Sequence, residues 1–220
     1  MNVISNKNNF IYLLYALILL LFSSAFTHQL KDLLPNNFNE LVLVIVFLLG
    51  VHSLKSEKSW IWSVYFMAFV TAVLFILKKT VNDSILFEYI HLLIFLSFFV
   101  GSFALSAKQI LISEHVNKNM IVGSVVLYLL LGLIWTTIYL LIIMIFPDSF
   151  NGLEALPWQE NFSKVSYYSF VTITTLGYGD ISPKNSIAEF FVLSEAVVGV
   201  FYMAIIVSSL ISARLNSLKK

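Results

Sequence analysis

The most distinctive residues of this chain form one short string, Thr-Thr-Leu-Gly-Tyr-Gly-Asp, at positions 174–180. Two glycines alternate there with Leu176 and Tyr178, and glycine adopts backbone conformations that other residues disfavour. Such a backbone can turn successive carbonyl oxygens toward one side of the strand. The chemistry that this pattern predicts is therefore coordination by a row of main-chain oxygens.

The composition of the chain predicts the medium around this string. Of its 220 residues, 59% are hydrophobic and 11% are charged, against roughly 45–50% and about 25% in soluble domains. Disorder is excluded, because it requires low hydrophobicity and high net charge. A net charge of +1 provides no basic field for nucleic acid, and the absence of cysteine excludes disulfides and thiolate metal sites. We predict an integral membrane protein whose partners include the lipid bilayer and no nucleic acid.

Six apolar stretches approach the length of about 20 residues that a helix needs to cross a bilayer. They are Phe10–Phe26, Leu41–Leu54, Trp60–Leu77, Ile85–Ala107, Met120–Phe146 and Ile187–Ala213. The second is the weakest, because its uncharged core is only Leu41–Val51 and would also suit an interfacial or re-entrant segment. We predict an all-α membrane protein with six transmembrane helices.

The distribution of basic residues predicts the orientation. With the N-terminus inside, eight lysine or arginine residues lie in cytoplasmic segments and five in external segments, an excess typical of the cytoplasmic side. We therefore expect both termini in the cytoplasm and a location in the plasma membrane, the inner membrane if the source is bacterial. The first stretch faintly resembles a signal peptide, but it is longer than usual and lacks a clear cleavage site.

The segment just before the glycine string has the pattern of a short helix over residues 162–174, with Asn161 and Ser163 as good capping residues. About 13 residues make roughly 20 Å of helix, which is too short to cross about 30 Å of hydrocarbon. The C-terminal end of such a half-helix carries the negative end of its dipole and favours a cation just beyond it. Irregular backbone at this depth must be buried by protein or wetted by water.

Residues 167–180, Tyr-Tyr-Ser-Phe-Val-Thr-Ile-Thr-Thr-Leu-Gly-Tyr-Gly-Asp, resemble the pore helix and selectivity filter of potassium channels, with Leu176 in place of valine. The resemblance implies that K⁺ is bound by the carbonyls of four residues, which are Thr175, Leu176, Gly177 and Tyr178, and by the Thr175 hydroxyl. It implies that Gly179 completes the filter. The residues that would support the filter are Thr174, Asp180, Tyr167 and Tyr168. Val171 replaces the pore-helix glutamate that pairs with the filter aspartate in one bacterial type.

The resemblance also implies a domain organisation. Residues 1–118 would form a four-helix transmembrane domain and residues 119–220 a pore domain. The pore domain would contain an outer helix over 120–146, a re-entrant pore helix over 162–174, the filter over 175–180 and an inner helix over 187–213. One filter strand cannot surround an ion, so we expect a four-fold homotetramer that conducts K⁺ passively. No cofactor is expected beyond K⁺ as the permeant ion.

The last apolar stretch contains two further candidates. Gly199 is either the bending glycine of the inner helix or a site of close helix packing. Counted from Gly199, the face that would line the cavity and hold the gate is Val200, Met203, Val207, Ile211 and Leu215. Glu195 is an acid at membrane depth, for which we favour a buried structural role behind the pore helix over a direct role in conduction.

Several functions and gating modes are disfavoured by the sequence. The stretch Ile85–Ala107 contains no lysine or arginine, so we expect weak or no intrinsic voltage gating. No room for a ligand-gating module is seen after Ala213, and no enzyme motif is present, so we do not expect an enzyme. The alternatives left open are a weakly selective cation channel and a non-conducting sensor or accessory subunit.

Overall fold

The computed structural model describes residues 9–29, 38–53, 58–80, 85–112, 118–154 and 156–218. Within these ranges the chain forms seven α-helices and one pair of two-residue strands. In chain order they are α1 (Asn9–Gln29), α2 (Phe38–Ser53), α3 (Lys58–Thr80), α4 (Ile85–Ile112), α5 (Lys118–Ile145), β1 (Phe150–Asn151), α6 (Trp158–Ile173), β2 (Ser182–Pro183) and α7 (Ser186–Leu218). The all-helical fold class is confirmed, since a helix covers the described residues of each of the six apolar stretches, apart from Phe146 at the end of the fifth.

Three of these helices are long and apolar enough to cross a membrane, judged by length and composition over the described residues. They are Ile85–Ile110, Lys118–Ile145 and Ser186–Ile206. Phe10–Phe26 and Ser59–Leu74 are shorter apolar helices. The protein is therefore membrane-embedded, while the number of six spans stays a prediction.

The described residues fall into two compact units that part between Leu130 and Leu131, within α5. In the first unit, α1, α2, α3 and α4 pack in sequential order along the chain. Phe47 and Phe98 are fully buried there, with ring centroids 4.5 Å apart. His91 is also buried, and its Nδ1 forms a hydrogen bond of 2.9 Å with the carbonyl of Phe87, one turn earlier on the same helix. The division into residues 1–118 and 119–220 remains a prediction.

Helix α4 extends beyond its predicted end at Ala107. It continues to Ile112 and so includes Lys108, which the prediction placed in the following loop. Lys108 is the only lysine or arginine in α4. The helix is longer because residues 108–112, Lys-Gln-Ile-Leu-Ile, contain neither glycine nor proline and continue the apolar pattern.

In the second unit, β1 and β2 connect the segment that enters α6 with the segment that enters α7. The strands are antiparallel, with Phe150 opposite Pro183. Beside them the Lys184 N–H donates to the Ser149 carbonyl at 2.8 Å. Asn185 donates from Nδ2 to Ser149 Oγ at 2.8 Å, while its Oδ1 accepts the Ala188 N–H and caps α7. The segments on both sides of α6 are thereby held together.

The N-terminus of α6 differs from its prediction. The helix starts at Trp158, after Pro157, which has φ −51° and ψ 148° and makes no side-chain cap. Asn161 and Ser163 lie inside the helix, so their assignment as caps was wrong. Asn161 instead donates from Nδ2 to the carbonyls of Glu154 and Leu156, at 2.9 and 3.2 Å. Sixteen residues make about 24 Å of helix, which is still too short to cross the bilayer.

Candidate functional site

The chain leaves α6 through a tight turn that folds its N–H groups back onto the helix. The carbonyl of Val171 accepts the N–H groups of Leu176 and Gly177, at 3.0 and 3.3 Å. The Thr175 N–H donates to Thr172 at 2.9 Å. The hydroxyl of Thr174 lies 2.6 Å from the Phe170 carbonyl, to which it donates. The carbonyls at the end of α6 thus accept the N–H groups of Thr175, Leu176 and Gly177. The carbonyls of these three residues remain available.

The strand after α6 alternates in backbone conformation. Thr175, Gly177 and Gly179 have φ of 58°, 55° and 82°, whereas Leu176 and Tyr178 do not have positive φ. A Cβ at either glycine would meet no atom of the described residues within 4 Å, so the positive φ, which glycine adopts at least cost, is what favours glycine there. The alternation of φ is what the glycine spacing led us to expect. That successive carbonyls point toward one side of the strand stays a prediction.

The carbonyls of this strand are unpaired within the described part of the chain. Those of residues 175–178 accept no hydrogen bond from any described residue. Residues 174–180 are all exposed in the single chain, and the side chains of Leu176 and Tyr178 are 55% and 66% exposed. Main-chain oxygens at membrane depth need partners. A row of such oxygens beyond the negative end of a helix dipole can coordinate cations.

Two neighbouring tyrosines of α6 support different parts of the structure. Tyr167 stacks on Tyr178, with ring centroids 6.5 Å apart and planes at 9°. Asp180 lies beside the Tyr167 phenol, and both residues are outside the spanning helices. Desolvation is the main cause that raises the pKa of Tyr167, and the Asp180 carboxyl is the second. Tyr168 packs instead against Tyr139 and Phe150, at 5.5 Å from each. Of these two tyrosines, Tyr167 is therefore the one that contacts the glycine strand.

A loop packs against the C-terminal end of the strand, at Asp180. Gly152 has φ 80°, and a Cβ there would lie 2.2 Å from the Asp180 carbonyl oxygen. Only glycine allows this approach. The loop around β1 thus packs directly on the residue that follows Gly179.

Gly199 of α7 contacts the other end of α6. A Cβ at this position would lie 2.3 Å from the carbonyl oxygen of Ile173, the last residue of α6. Of the two interpretations of Gly199, the structure supports close helix packing. A bend at this glycine remains a prediction.

The predicted cavity face is described only in part. Val200 and Met203 are 55% and 50% exposed in the single chain, so both are available to line a cavity. The side chains of Val207, Ile211 and Leu215 lie outside the described residues, although the α7 backbone is helical to Leu218. The gate assigned to Ile211 and Leu215 stays a prediction.

Glu195 is fully buried behind α6, as the sequence favoured. Tyr139 donates a hydrogen bond of 2.5 Å to its Oε2, and Ser169 Oγ lies 2.5 Å from its Oε1. Sequence reasoning did not find these partners, because they are 56 and 26 residues away along the chain. The available signal was the presence of hydroxyl residues in otherwise apolar helices.

A short helix followed by a glycine-containing segment with free carbonyls is the arrangement by which pore-loop membrane channels bind ions. Residues 125–214, which include α6, the strand and most of α7, match the family model described as "Ion channel". The chain is 31% identical over 94 residues to two-pore potassium channel 2 of Arabidopsis thaliana. This match covers 43% of the chain and 19% of that relative. Through this region the chain is therefore similar to an ion channel family and to a potassium channel.

The chain matches less than a fifth of that plant protein's length. No solved structure matches the chain significantly. Among the described residues, no group of three or more histidine, aspartate or glutamate side chains could hold a metal ion. The main-chain oxygens of residues 175–178, which accept no hydrogen bond from the described residues, form the candidate cation site.

Proposed function

We propose that this protein is a potassium-selective channel that conducts passively through a filter of main-chain carbonyls. The observation that carries the proposal is the row of unpaired carbonyls at residues 175–178, directly beyond the end of α6. The match to an ion channel family and the similarity to a potassium channel support the same ion. Conduction of this kind involves no covalent chemistry and no cofactor other than the permeant ion.

The filter would hold several potassium ions in file. Carbonyls of Thr175, Leu176, Gly177 and Tyr178 would replace the water around each ion, together with the Thr175 hydroxyl. Four extended residues reach roughly 13 Å, and a spacing of about 3.3 Å leaves room for more than one ion. Repulsion between neighbouring ions then allows binding without trapping.

One strand offers ligands on one side only, so we propose a four-fold homotetramer with the filter at its axis. The exposed apolar side chains of α7 support contacts with other copies and with lipid. These side chains are Ile187, Phe190, Leu193, Val197, Phe201 and Ile205. We propose six spans per chain, both termini in the cytoplasm and a location in the plasma membrane. Helix α4 contains one lysine, Lys108, and no arginine, which supports a channel without intrinsic voltage gating.

The test is ion flux from purified protein reconstituted into liposomes. We expect K⁺ flux that greatly exceeds Na⁺ flux, and a reversal potential near that of K⁺ in planar bilayers. Gly177→Ala is expected to abolish K⁺ flux, because φ 55° is strained for alanine although no atom of the described residues blocks its Cβ. Lys184→Ala, an exposed residue near the filter, is the matched control and should conduct like the wild type.

Three outcomes would contradict the proposal. Equal K⁺ and Na⁺ flux would favour the weakly selective cation channel. The absence of any flux from correctly assembled protein would favour an accessory subunit. Full K⁺ flux through Gly177→Ala would show that the glycine strand is not the filter.

A further inference from the structure

Glu195 connects three helices of the second unit. It lies on α7, its side chain is completely buried, and its two oxygens contact Tyr139 of α5 and Ser169 of α6. The titratable groups that face it are the phenols of Tyr139 and Tyr168, and no basic group among the described residues acts on it. An ionised carboxylate without a cation is costly at this depth.

The oxygen atoms around Ser169 show how many protons the cluster must contain. Ser169 Oγ lies 2.5 Å from Glu195 Oε1 and 2.8 Å from the carbonyl oxygen of Gly132. The Gly132 carbonyl can only accept, and it also accepts the Thr136 hydroxyl at 2.7 Å. A serine hydroxyl has one proton to donate and two lone pairs that accept. If Ser169 donates to Gly132, the proton between Ser169 and Glu195 must come from the glutamate.

The opposite arrangement leaves one contact without a proton. If Glu195 were ionised, Ser169 would donate to it and then face the Gly132 carbonyl with a lone pair at 2.8 Å. The three contacts among Tyr139, Glu195, Ser169 and Gly132 need three protons, and an ionised glutamate leaves two. With a neutral acid, Tyr139 donates to Oε2, Oε1–H donates to Ser169, and Ser169 donates to Gly132. Every contact is then satisfied.

Building on the proposed channel function, we propose that Glu195 is a neutral carboxylic acid that positions the pore helix for conduction. The link has a second point of contact one turn away. On α7, Gly199 follows Glu195 by four residues, and on α6, Ile173 follows Ser169 by four residues. Glu195 meets Ser169, and Gly199 meets the Ile173 carbonyl. These two contacts hold α7 against the last turn of α6, from which the filter strand begins.

A pair of variants tests the proton and the positioning role together. Glu195→Gln reproduces a neutral acid, because its amide oxygen accepts from Tyr139 and its NH₂ group donates to Ser169. We expect it to keep the wild-type K⁺-to-Na⁺ permeability ratio within about twofold. Glu195→Met retains similar bulk but leaves the Tyr139 hydroxyl without its acceptor and removes the donor to Ser169, so we expect the ratio to fall roughly tenfold. Glu189→Gln, an exposed acid in the first turn of α7, is the matched control.

The permeability ratio is a useful readout because loss of folded protein lowers the total current without changing the ratio. If Glu195→Gln is as impaired as Glu195→Met, the neutral acid is excluded. If Glu195→Met keeps the wild-type ratio, the positioning role is excluded. Should Glu195→Met fail to assemble, Ser169→Ala removes the same link and is expected to lower the ratio in the same direction.

Infrared spectroscopy of the purified wild-type protein tests the proton independently of conduction. We expect the carbonyl stretching band of a buried, protonated carboxylic acid at pH 5 to 7, although an ordinary glutamic acid has a pKa of about 4.3. The band should be absent from Glu195→Gln. A difference spectrum that shows loss of a carboxylate band instead would overturn the inference. If the wild type passes no K⁺ but shows the acid band, the proposed function fails while the protonation of Glu195 stands.

Discussion

A Cβ at Gly199 would lie 2.3 Å from the carbonyl oxygen of Ile173, so α7 touches the backbone of α6 at its last residue. No side-chain rotation can relieve such a contact, because the atom in the way belongs to the main chain. The close approach also lies one turn from Glu195, which contacts the same helix. Helix α7 therefore contacts α6 at two points one turn apart, next to the start of the proposed filter.

This contact predicts that Gly199→Ala destabilises the protein. We expect the free energy of unfolding to fall by about 1–3 kcal/mol, the usual cost of overpacking, with loss of K⁺ flux. Thermal unfolding of the detergent-solubilised protein measures the first effect and liposome flux the second. Ser194→Ala, on the same helix, is the control. Wild-type stability with altered gating alone would instead support a hinge.

Thr175 has φ 58°, a conformation that is unfavourable for a β-branched residue. We propose that its hydroxyl binds K⁺ at the inner end of the filter. Thr175→Gly relieves the backbone strain but removes this ligand, so we expect normal assembly and a K⁺-to-Na⁺ permeability ratio about 3- to 10-fold lower. Bi-ionic reversal potentials provide the measurement. Thr175→Ser keeps the hydroxyl and should retain selectivity; equal loss in both variants would contradict a role for the hydroxyl.

Asn185 has two separate roles that substitutions can resolve. Its Oδ1 caps α7 by accepting the Ala188 N–H, and its Nδ2 donates to Ser149 Oγ. Asn185→Asp keeps the cap and loses the donor, whereas Asn185→Ala loses both. We expect the alanine variant to lose about 1 kcal/mol more of unfolding free energy than the aspartate variant. Thermal unfolding measures the difference, and equal losses would show that the cap contributes nothing.

The near absence of lysine and arginine from α4 predicts how the proposed channel responds to voltage. Moving one charge through the field yields about 2.3 kcal/mol per 100 mV, and steep gating needs several charges per chain. Since Lys108 is the only lysine or arginine of α4, we expect an almost flat relation between open probability and voltage. Planar-bilayer recordings of the wild type and of Lys108→Gln should agree with each other. Gating currents of several charges per chain would refute this expectation.

Local features of the sequence predicted much of the fold. Apolar runs produced the helices, and the alternating glycines of residues 175–179 produced the alternating φ angles. The start of α6 was misplaced because Asn161 and Ser163 have capping side chains, whereas Pro157 and the buried Trp158 determine where the helix begins. A capping propensity is weak compared with the burial of a tryptophan.

By itself, the sequence determined the membrane class, the short helix α6 and the glycine conformations of the strand after it, because hydrophobicity and glycine conformation act over a few neighbouring residues. Only the tertiary structure decided that Tyr167 stacks on Tyr178 while Tyr168 packs against Tyr139 and Phe150. It also decided the partners of Glu195. A helix pattern states which residues share a face, but helix packing selects what that face meets. That selection brought a tyrosine, a serine and a glutamate from three helices into one buried cluster.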